Sequence, residues 1–311
     1  MGVGRTGPSL IPTPQEVPSR SKQRRESRWM MNVHLVVPSY NNPPSTIECV
    51  ESALMGYGKE RDVLLPTVHL FNHWEKESGS VSCSQLQKMH PTYLRLYNYR
   101  QNRGLAKSWN DGIHMALAEG ADVIVIANAD IRFGPGSLAQ LVKTAYEFRT
   151  ERPITFVSGH HGKNGVDESF GHSLFAITPT FVKRLGYWDQ NFKKAYYEDS
   201  DMDRRRARAG VLSADAGVLD VYHEGSESIF LSSPEEEAAI RLQQDANRRY
   251  YYKKWGKNEE YPCPFDLERP PWLPNKNWGQ DLQETLMRIE WENREDPYPG
   301  FGLPDPPAVR I

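Results

Sequence analysis

Short apolar runs alternate with amphipathic stretches over most of this chain. Val33-His34-Leu35-Val36-Val37 reads as a buried strand that ends at Pro38. Ser45–Met55 follows as a helix, with Ile47, Val50 and Leu54 near one face. Leu64–Phe71 and Tyr93–Tyr97 read as two further strands. Leu105, Trp109 and Ile113 recur every fourth residue and predict a helix from about Leu105 to Glu119, stopped at Gly120. Asp122–Ala127 is a continuous apolar run suited to a central strand. Leu138–Phe148 predicts a helix, and Thr155–Ser158 and Val218–Val221 predict strands. This βαβαβ order predicts a mostly parallel α/β sheet flanked by helices. Ligands on such sheets bind beyond the carboxyl ends of the strands, so those ends are the places to search.

The two ends of the chain differ from this middle. Residues 1–28 carry Pro8, Pro12, Pro14, Pro18 and the basic cluster Lys22, Arg24, Arg25 and Arg28. That composition cannot bury apolar area and predicts a disordered tail. Residues 29–230 make the α/β domain, and residues 231–311 a C-terminal extension. Ser233-Pro234-Glu235-Glu236-Glu237 is a helix start, with a capping Ser, an early Pro and acids at the positive end. Arg248, Arg249, Lys253 and Lys254 near its other end read as a solvated helix terminus, closed by Gly256. The Pro- and Trp-rich remainder, interrupted by a helix over about Gly279–Glu292, is expected to wrap over the main domain.

Composition narrows the function. The chain has 311 residues, with 38 Lys+Arg against 40 Asp+Glu and a formal net charge of −2. That balance argues against a nucleic-acid coat or a polybasic membrane binder. The longest apolar runs fall far short of the ~18–20 residues of a membrane helix. Cys49, Cys83 and Cys263 form no C-x-x-C pair, so a structural zinc cluster is not expected. Sparse cysteines and the lack of an apolar leader point to a reducing, cytoplasmic setting.

Five polar fragments stand where chemistry could sit. VHLVVPSYNNP (Val33–Pro43) runs a strand into a polar turn able to border a nucleotide base through Pro38, Ser39 and Tyr40. NRGLAKSWNDGI (Asn102–Ile113) puts Asn and Gly before a helix whose free N–H groups favour an anion. VIVIANAD (Val123–Asp130) ends a central strand in Asn128-Ala129-Asp130. Residues i and i+2 on an extended tip face the same way, so Asn128 and Asp130 could share one hard cation. YYEDSDMDRRRARAG (Tyr196–Gly210) crowds Glu198, Asp199, Asp201 and Asp203 ahead of Arg204, Arg205, Arg206 and Arg208. As a helix, it pairs Asp201 with Arg205 at i,i+4. VYHEG (Val221–Gly225) sets His223 where it could add a nitrogen ligand to the Asp130 site. Each fragment also has a plain structural reading: a strand-ending turn, helix capping, a self-compensating surface helix or a core histidine.

Their order is the informative part. Together they resemble the family-2 glycosyltransferases with the GT-A fold, over about Asn32–Gly225. LGYWDQNFKKAYYEDSDMDRRRARAG (Leu185–Gly210) resembles the family's Gly-x-aromatic-Asp, aromatic, E-D-x-D, Arg, Ala-Gly sequence. ANADIRFGPGSL resembles its N-x-D metal motif. RRYYYKKWG (Arg248–Gly256) is similar to a tract that many members carry after the catalytic domain.

The resemblance implies a GT-A, Rossmann-like nucleotide-diphospho-sugar transferase fold. It further implies metal-dependent, inverting transfer of a sugar from a nucleotide-sugar, UDP or dTDP foremost, to a hydroxyl acceptor. The acceptor classes it implies are a glycan, a lipid-linked sugar or a protein. By position, Asp130, Asn128 and His223 would hold Mn²⁺ or Mg²⁺ on the donor diphosphate, with Ala129 beside them. Asp199 would be the general base, Asp201 its rival, and Glu198 would shape the acceptor pocket. Pro38, Ser39 and Tyr40 would border the base. Asn102, Gly104 and Asn110 would support the donor floor.

The family's Asp at the end of the second strand is missing. LFNHWEKES (Leu70–Ser78) stands there, so Asn72 or a nearby carboxylate must substitute. A sugar-phosphate nucleotidyltransferase is disfavoured, because no Gly-rich basic loop follows the first strand. A non-catalytic glycan- or nucleotide-binding protein on a degenerate fold is the alternative reading. No second metal cluster is visible. His160 and His161 read as pocket residues or as a polar loop after a strand. The aromatic extension is compatible with a homodimer.

Overall fold

The structure is a computed structural model that describes residues 31–57, 65–74, 77–151, 156–163, 166–211, 213–223 and 234–256. The tail, the helix expected at 279–292 and Cys263 lie outside these residues. In chain order the elements are β1 (Val33–Tyr40), α1 (Pro43–Tyr57), β2 (Thr67–His73), α2 (Glu77–Met89), β3 (Leu94–Tyr99), α3 (Leu105–Ala118), β4 (Val123–Ala127), β5 (Ile131–Phe133) and α4 (Ser137–Glu151). Then come β6 (Phe156–Lys163), β7 (Val166–Ser169), β8 (Leu174–Ile177), α5 (Pro179–Leu185), α6 (Glu198–Arg208), β9 (Ser213–Val218), β10 (Val221–His223) and α7 (Pro234–Trp255).

The main sheet runs β3-β2-β1-β4-β8-β6-β7, with β9 on β6. β3, β2, β1 and β4 are mutually parallel, as is the β6–β9 pair. β8 is antiparallel between β4 and β6, and β7 antiparallel on β6. The sheet is therefore mostly parallel, with helices on both faces. Alternate residues choose the face. Val33, Leu35 and Val37 join Val123 and Val125 under α1, α2 and α4. Val36, Ile124 and Ile126 face the other way, onto Trp109 and Ile113 of α3 and Phe181 and Val182 of α5.

Several boundaries depart from the sequence reading. β1 continues through Pro38 to Tyr40. Pairing with β4 stops at Val36, while β2 stays paired to Tyr40. Pro38 thus sits where the strand is locally an edge, the position a sheet tolerates for proline. β6 extends to Lys163, so His160 and His161 lie in a strand rather than a loop. His160 is 3.2 Å from Asp215 of β9. Lys254 is not solvated; its side chain is buried against Asp189 and Asp201. Cys49 and Cys83 are buried free thiols. No helix among the described residues is long and apolar enough to cross a membrane.

One glycine sets how closely α3 lies on the sheet. A Cβ on Gly112 would stand 2.4 Å from Val36 Cγ1 and 3.0 Å from Phe71 Cε2. Gly112→Ala would add helix propensity of about 1 kcal/mol but force a core overlap costing about 1–3 kcal/mol or more. The contact is at full burial on both sides, so overlap wins. Chemical denaturation should show a net loss of stability; a gain would mean that α3 is free to shift outward.

Candidate active site

The carboxyl ends of β1 to β4 converge on one cavity of about 460 Å³. Pro38, Ser39 and Tyr40 come from the tip of β1, and His73 from β2. Asn102 and Gly104 come from the turn after β3, and Asn128, Ala129 and Asp130 from the turn after β4. The opposite wall is Lys194, Ala195, Tyr196, Glu198 and Asp199, with Ile240 of α7. The antiparallel ribbon of β5 and β10 pairs His223 with Ile131. That register delivers His223, ninety-three positions downstream, to Asp130.

Several buried polar atoms that line this cavity have no hydrogen-bond partner in the protein. Asn128 Oδ1, Asp130 Oδ1 and His223 Nε2 are all buried without a hydrogen bond. His223 Nε2 and Asp130 Oδ1 are 3.4 Å apart. Trp109 Nε1, His172 Nε2 and Glu198 Oε2 are orphaned in the same way around the same space. Leaving a buried polar group unpaired costs about 1–3 kcal/mol. A concentration of such groups on one cavity is the mark of a place built for a ligand. Two hard oxygens and an imidazole nitrogen at the β4 tip are a donor set that suits a divalent cation, with phosphate oxygens to complete it.

Glu198 and Asp199 open α6. Burial, then the neighbouring Asp199 charge, pushes the Glu198 carboxyl up to about 8. It is therefore a neutral acid at pH 7, able to donate a hydrogen bond. Asp199 is half-buried, and its Oδ1 accepts from the Ser200 amide and hydroxyl at 2.7 and 3.3 Å. Burial also lowers His172 to about 4, against the pull of Asp199. His73 is held at about 4 by burial as well, and its Nε2 lies 2.8 Å from Ser108 Oγ.

The loop that delivers these carboxylates is bent sharply. Lys194, Tyr196 and Tyr197 have φ of 58°, 78° and 74°. Each left-handed non-glycine residue costs about 1–2 kcal/mol, so outside contacts must impose the shape. Gly104, itself at φ 91°, lets this loop close: a Cβ there would stand 3.0 Å from the Lys194 amide. The Lys194 carbonyl takes the Leu105 N–H at 2.6 Å, and Asn102 Oδ1 takes the Gly104 N–H at 2.9 Å. Two donors at the start of α3, read from sequence as open to an anion, are therefore already used.

Three other expected residues fall outside the cavity. Asn72 bonds Asn98 Oδ1 at 2.9 Å and the Gly79 carbonyl. Strand parity puts its neighbour His73 on the cavity side. Asn110 braces the Trp188 backbone, accepting its N–H at 2.9 Å and donating to its carbonyl at 2.7 Å. Asp201, the rival base, is fully buried and holds Arg205, Lys254 and Trp255. Sequence reasoning missed His73, His172, Tyr196 and Ile240. Parity on β2 could have found His73; nothing local marks the other three. A second possible metal-ligating group, His34, His69 and Glu119, also escaped it. There the two imidazoles lie 2.9 Å apart and Arg95 pairs with the carboxylate.

A family model described as Glycosyl transferase family 2 matches residues 34–195. No curated protein matches the sequence. Among solved structures, GalNAc-T7 with UDP, GalNAc and Mn²⁺ is 16% identical with a TM-score of 0.47. That alignment covers 84% of this chain and 55% of the other, so the chain spans about half of that protein. The mannosyltransferase PcManGT from Pyrobaculum calidifontis, in complex with GDP-Man and Mn²⁺, is 14% identical at TM-score 0.47, over 89% and 84%. Glucosyl-3-phosphoglycerate synthase from Mycobacterium tuberculosis, with Mn²⁺, UDP and phosphoglyceric acid, is 13% identical at 0.48, over 75% and 80%.

The raised Glu198 carboxyl gives a testable pH signature. The folded chain binds this proton more tightly than the unfolded one, so stability falls as pH rises from about 4.5 to 8. Glu198→Gln should match wild type near pH 4 and be more stable by roughly 2–4 kcal/mol at pH 8. Denaturant titrations at the two pH values measure this. Equal gaps at both would mean that folding leaves the proton affinity of Glu198 unchanged, and a gap reversed at pH 8 that Glu198 is ionised and paired.

Proposed function

The chain belongs to glycosyl transferase family 2, and we propose that it moves a sugar from a nucleoside-diphosphate donor to a hydroxyl acceptor, with inversion at the anomeric carbon. The observation that carries this reading is the group of orphaned polar atoms at the β4 tip, opposite the Glu198-Asp199 wall. It supplies two halves of one displacement: a place for the diphosphate and a base across from it.

Asn128, Asp130 and His223 would hold the divalent cation. When bound, that ion stabilises the charge that grows on the leaving diphosphate. Pro38, Ser39 and Tyr40 border the nucleoside at the β1 tip, with His73 in the place proposed for Asn72. The acceptor oxygen attacks the anomeric carbon from the Asp199 side. Its bond forms as the carbon–oxygen bond to the diphosphate breaks, and the leaving group takes the electron pair. Asp199 takes the acceptor proton. Its Oδ1 is held by Ser200, which leaves Oδ2 for that transfer. A positioned base contributes about 10²–10⁴-fold. Glu198, neutral at pH 7, donates a hydrogen bond to a sugar or acceptor oxygen without adding a second negative charge beside Asp199. Mn²⁺ or Mg²⁺, and UDP or dTDP, are the pairs to test first. The acceptor hydroxyls to test are those of a glycan, a lipid-linked sugar and a protein.

The test separates the two halves. Nucleoside-diphosphate release is followed with UDP-, dTDP- and GDP-sugars and Mn²⁺, Mg²⁺ or EDTA. Asp199→Asn should lose about 10²–10⁴-fold in kcat while keeping the donor-induced rise in unfolding temperature. Loss of that rise would move Asp199 to donor binding. Asp130→Ala should abolish the metal-dependent rise, which at 100 times Kd corresponds to about 2.7 kcal/mol. An unchanged rise would remove Asp130 from the metal set. Nucleotide binding without turnover would favour a non-catalytic binding protein.

A further inference from the structure

We propose that Asn247, on α7 and outside the matched family segment, is the positioning residue that aims Glu198 and Asp199 at the cavity. The proposal rests on the glycosyl-transfer reading for its catalytic part only. Asn247 is 1% exposed. Its amide nitrogen donates to the carbonyls of Lys193, Ala195 and Tyr196 at 2.9, 3.0 and 3.0 Å. Its Oδ1 accepts from the Lys193 N–H at 3.2 Å and from Gln243 at 3.0 Å. One side chain thus binds three carbonyls of the segment that holds the left-handed Lys194, Tyr196 and Tyr197. That segment runs directly into Glu198.

The geometry explains why an amide is needed. Carbonyls presented to one point repel each other unless a donor stands between them, and Asn247 supplies two N–H hydrogens there, one of them shared by two carbonyls. The Lys193 N–H, which can only donate, fixes which end of the amide is the oxygen. Asp199 needs a stable direction, because proton transfer requires the base within about 2.6–3.2 Å of the acceptor oxygen. Asn247 bonds the loop behind the Glu198-Asp199 wall and makes no contact with Asn128, Asp130 or His223 at the β4 tip. The effect therefore belongs in kcat rather than in donor binding.

The experiment uses the full chain with Asn247→Ala and Asn247→Asp, and Leu242→Ala on the exposed face of α7 as control. Amide hydrogen exchange over residues 193–199 reads the clamp without reference to catalysis. Expected are exchange at least tenfold faster there in both Asn247 variants, with β1 and β4 unchanged, and kcat down by about 10–100-fold. The donor dissociation constant stays within threefold. The near-isosteric Asn247→Asp keeps the oxygen but loses the donors, so it guards against a collapsed Ala variant. Unchanged exchange would overturn the clamp. Faster exchange with unchanged kcat would overturn the positioning role, as would equal losses in kcat and donor affinity. If wild type transfers from no donor, the glycosyl-transfer reading fails, and local exchange alone decides the clamp: faster supports it, unchanged overturns it.

Discussion

The carboxylate of Asp201 has no contact with water, and the geometry of the site follows from how its charge is met. Arg205 Nε is 3.0 Å away on one oxygen; Trp255 Nε1 and Lys254 Nζ meet the other. Lys254 also bonds Asp189, 2.8 Å away. Burial would push the Asp189 carboxyl up, but the Lys254 charge and bonds from Lys254, Asn191 and Tyr250 outweigh it and hold the group below its usual value. Two acids and two bases sum to zero inside the protein. Removing any one would leave an unmatched buried charge, at about 3–5 kcal/mol.

This network joins pieces of chain that have no other reason to meet. Arg205 Nη1 donates to the carbonyls of Leu185 and Tyr187, at and just past the end of α5. Asp189 lies in the loop before α6, and Lys254 and Trp255 in the last turn of α7. Asn247, Tyr250, Tyr251, Lys254 and Trp255 follow the i, i+3, i+4, i+7, i+8 spacing of a single helix face. α7 therefore docks through a polar and aromatic stripe, with Phe192 packed against Tyr251 and Trp255. Asp199 sits half a turn before Asp201, so its direction is inherited from this anchoring. Asn128, Asp130 and His223 keep unpaired atoms at the cavity, while the Asp189 and Asp201 carboxylates behind the Glu198-Asp199 wall are met by Arg205, Lys254, Tyr250 and Trp255.

The parallel half of the sheet was legible because buried strands and amphipathic helices write their period into the chain. β1, β2, β3, β4 and α3 lie within a few residues of where periodicity puts them. So do the two motifs at the β4 tip and the α6 start, whose residues are close in sequence. Misreadings share one cause. Asp201 and Asp199 are both acids in one motif, and only packing shows that one faces a base network and the other the cavity. Lys254 looks like a helix-end cation until Asp189 and Asp201 are placed beneath it. Asn72 and His73 differ by one position, and the pleat sends them to opposite sides.

The sequence by itself determined the family, the α/β class and the chemical character of the site: an N-x-D strand tip, an E-D-x-D helix start and a later histidine. These are local patterns, set by backbone period and by side-chain chemistry within a few residues. Tertiary structure alone decided which acid faces the cavity and which balances buried charge. It brought His223 to Asp130 through the β5–β10 register, and it made α7 the brace of the loop that leads into Glu198 and Asp199. Those outcomes depend on burial and on contacts between residues fifty to ninety positions apart. In a low-dielectric interior such contacts fix the energy of a charge, and no local pattern encodes them.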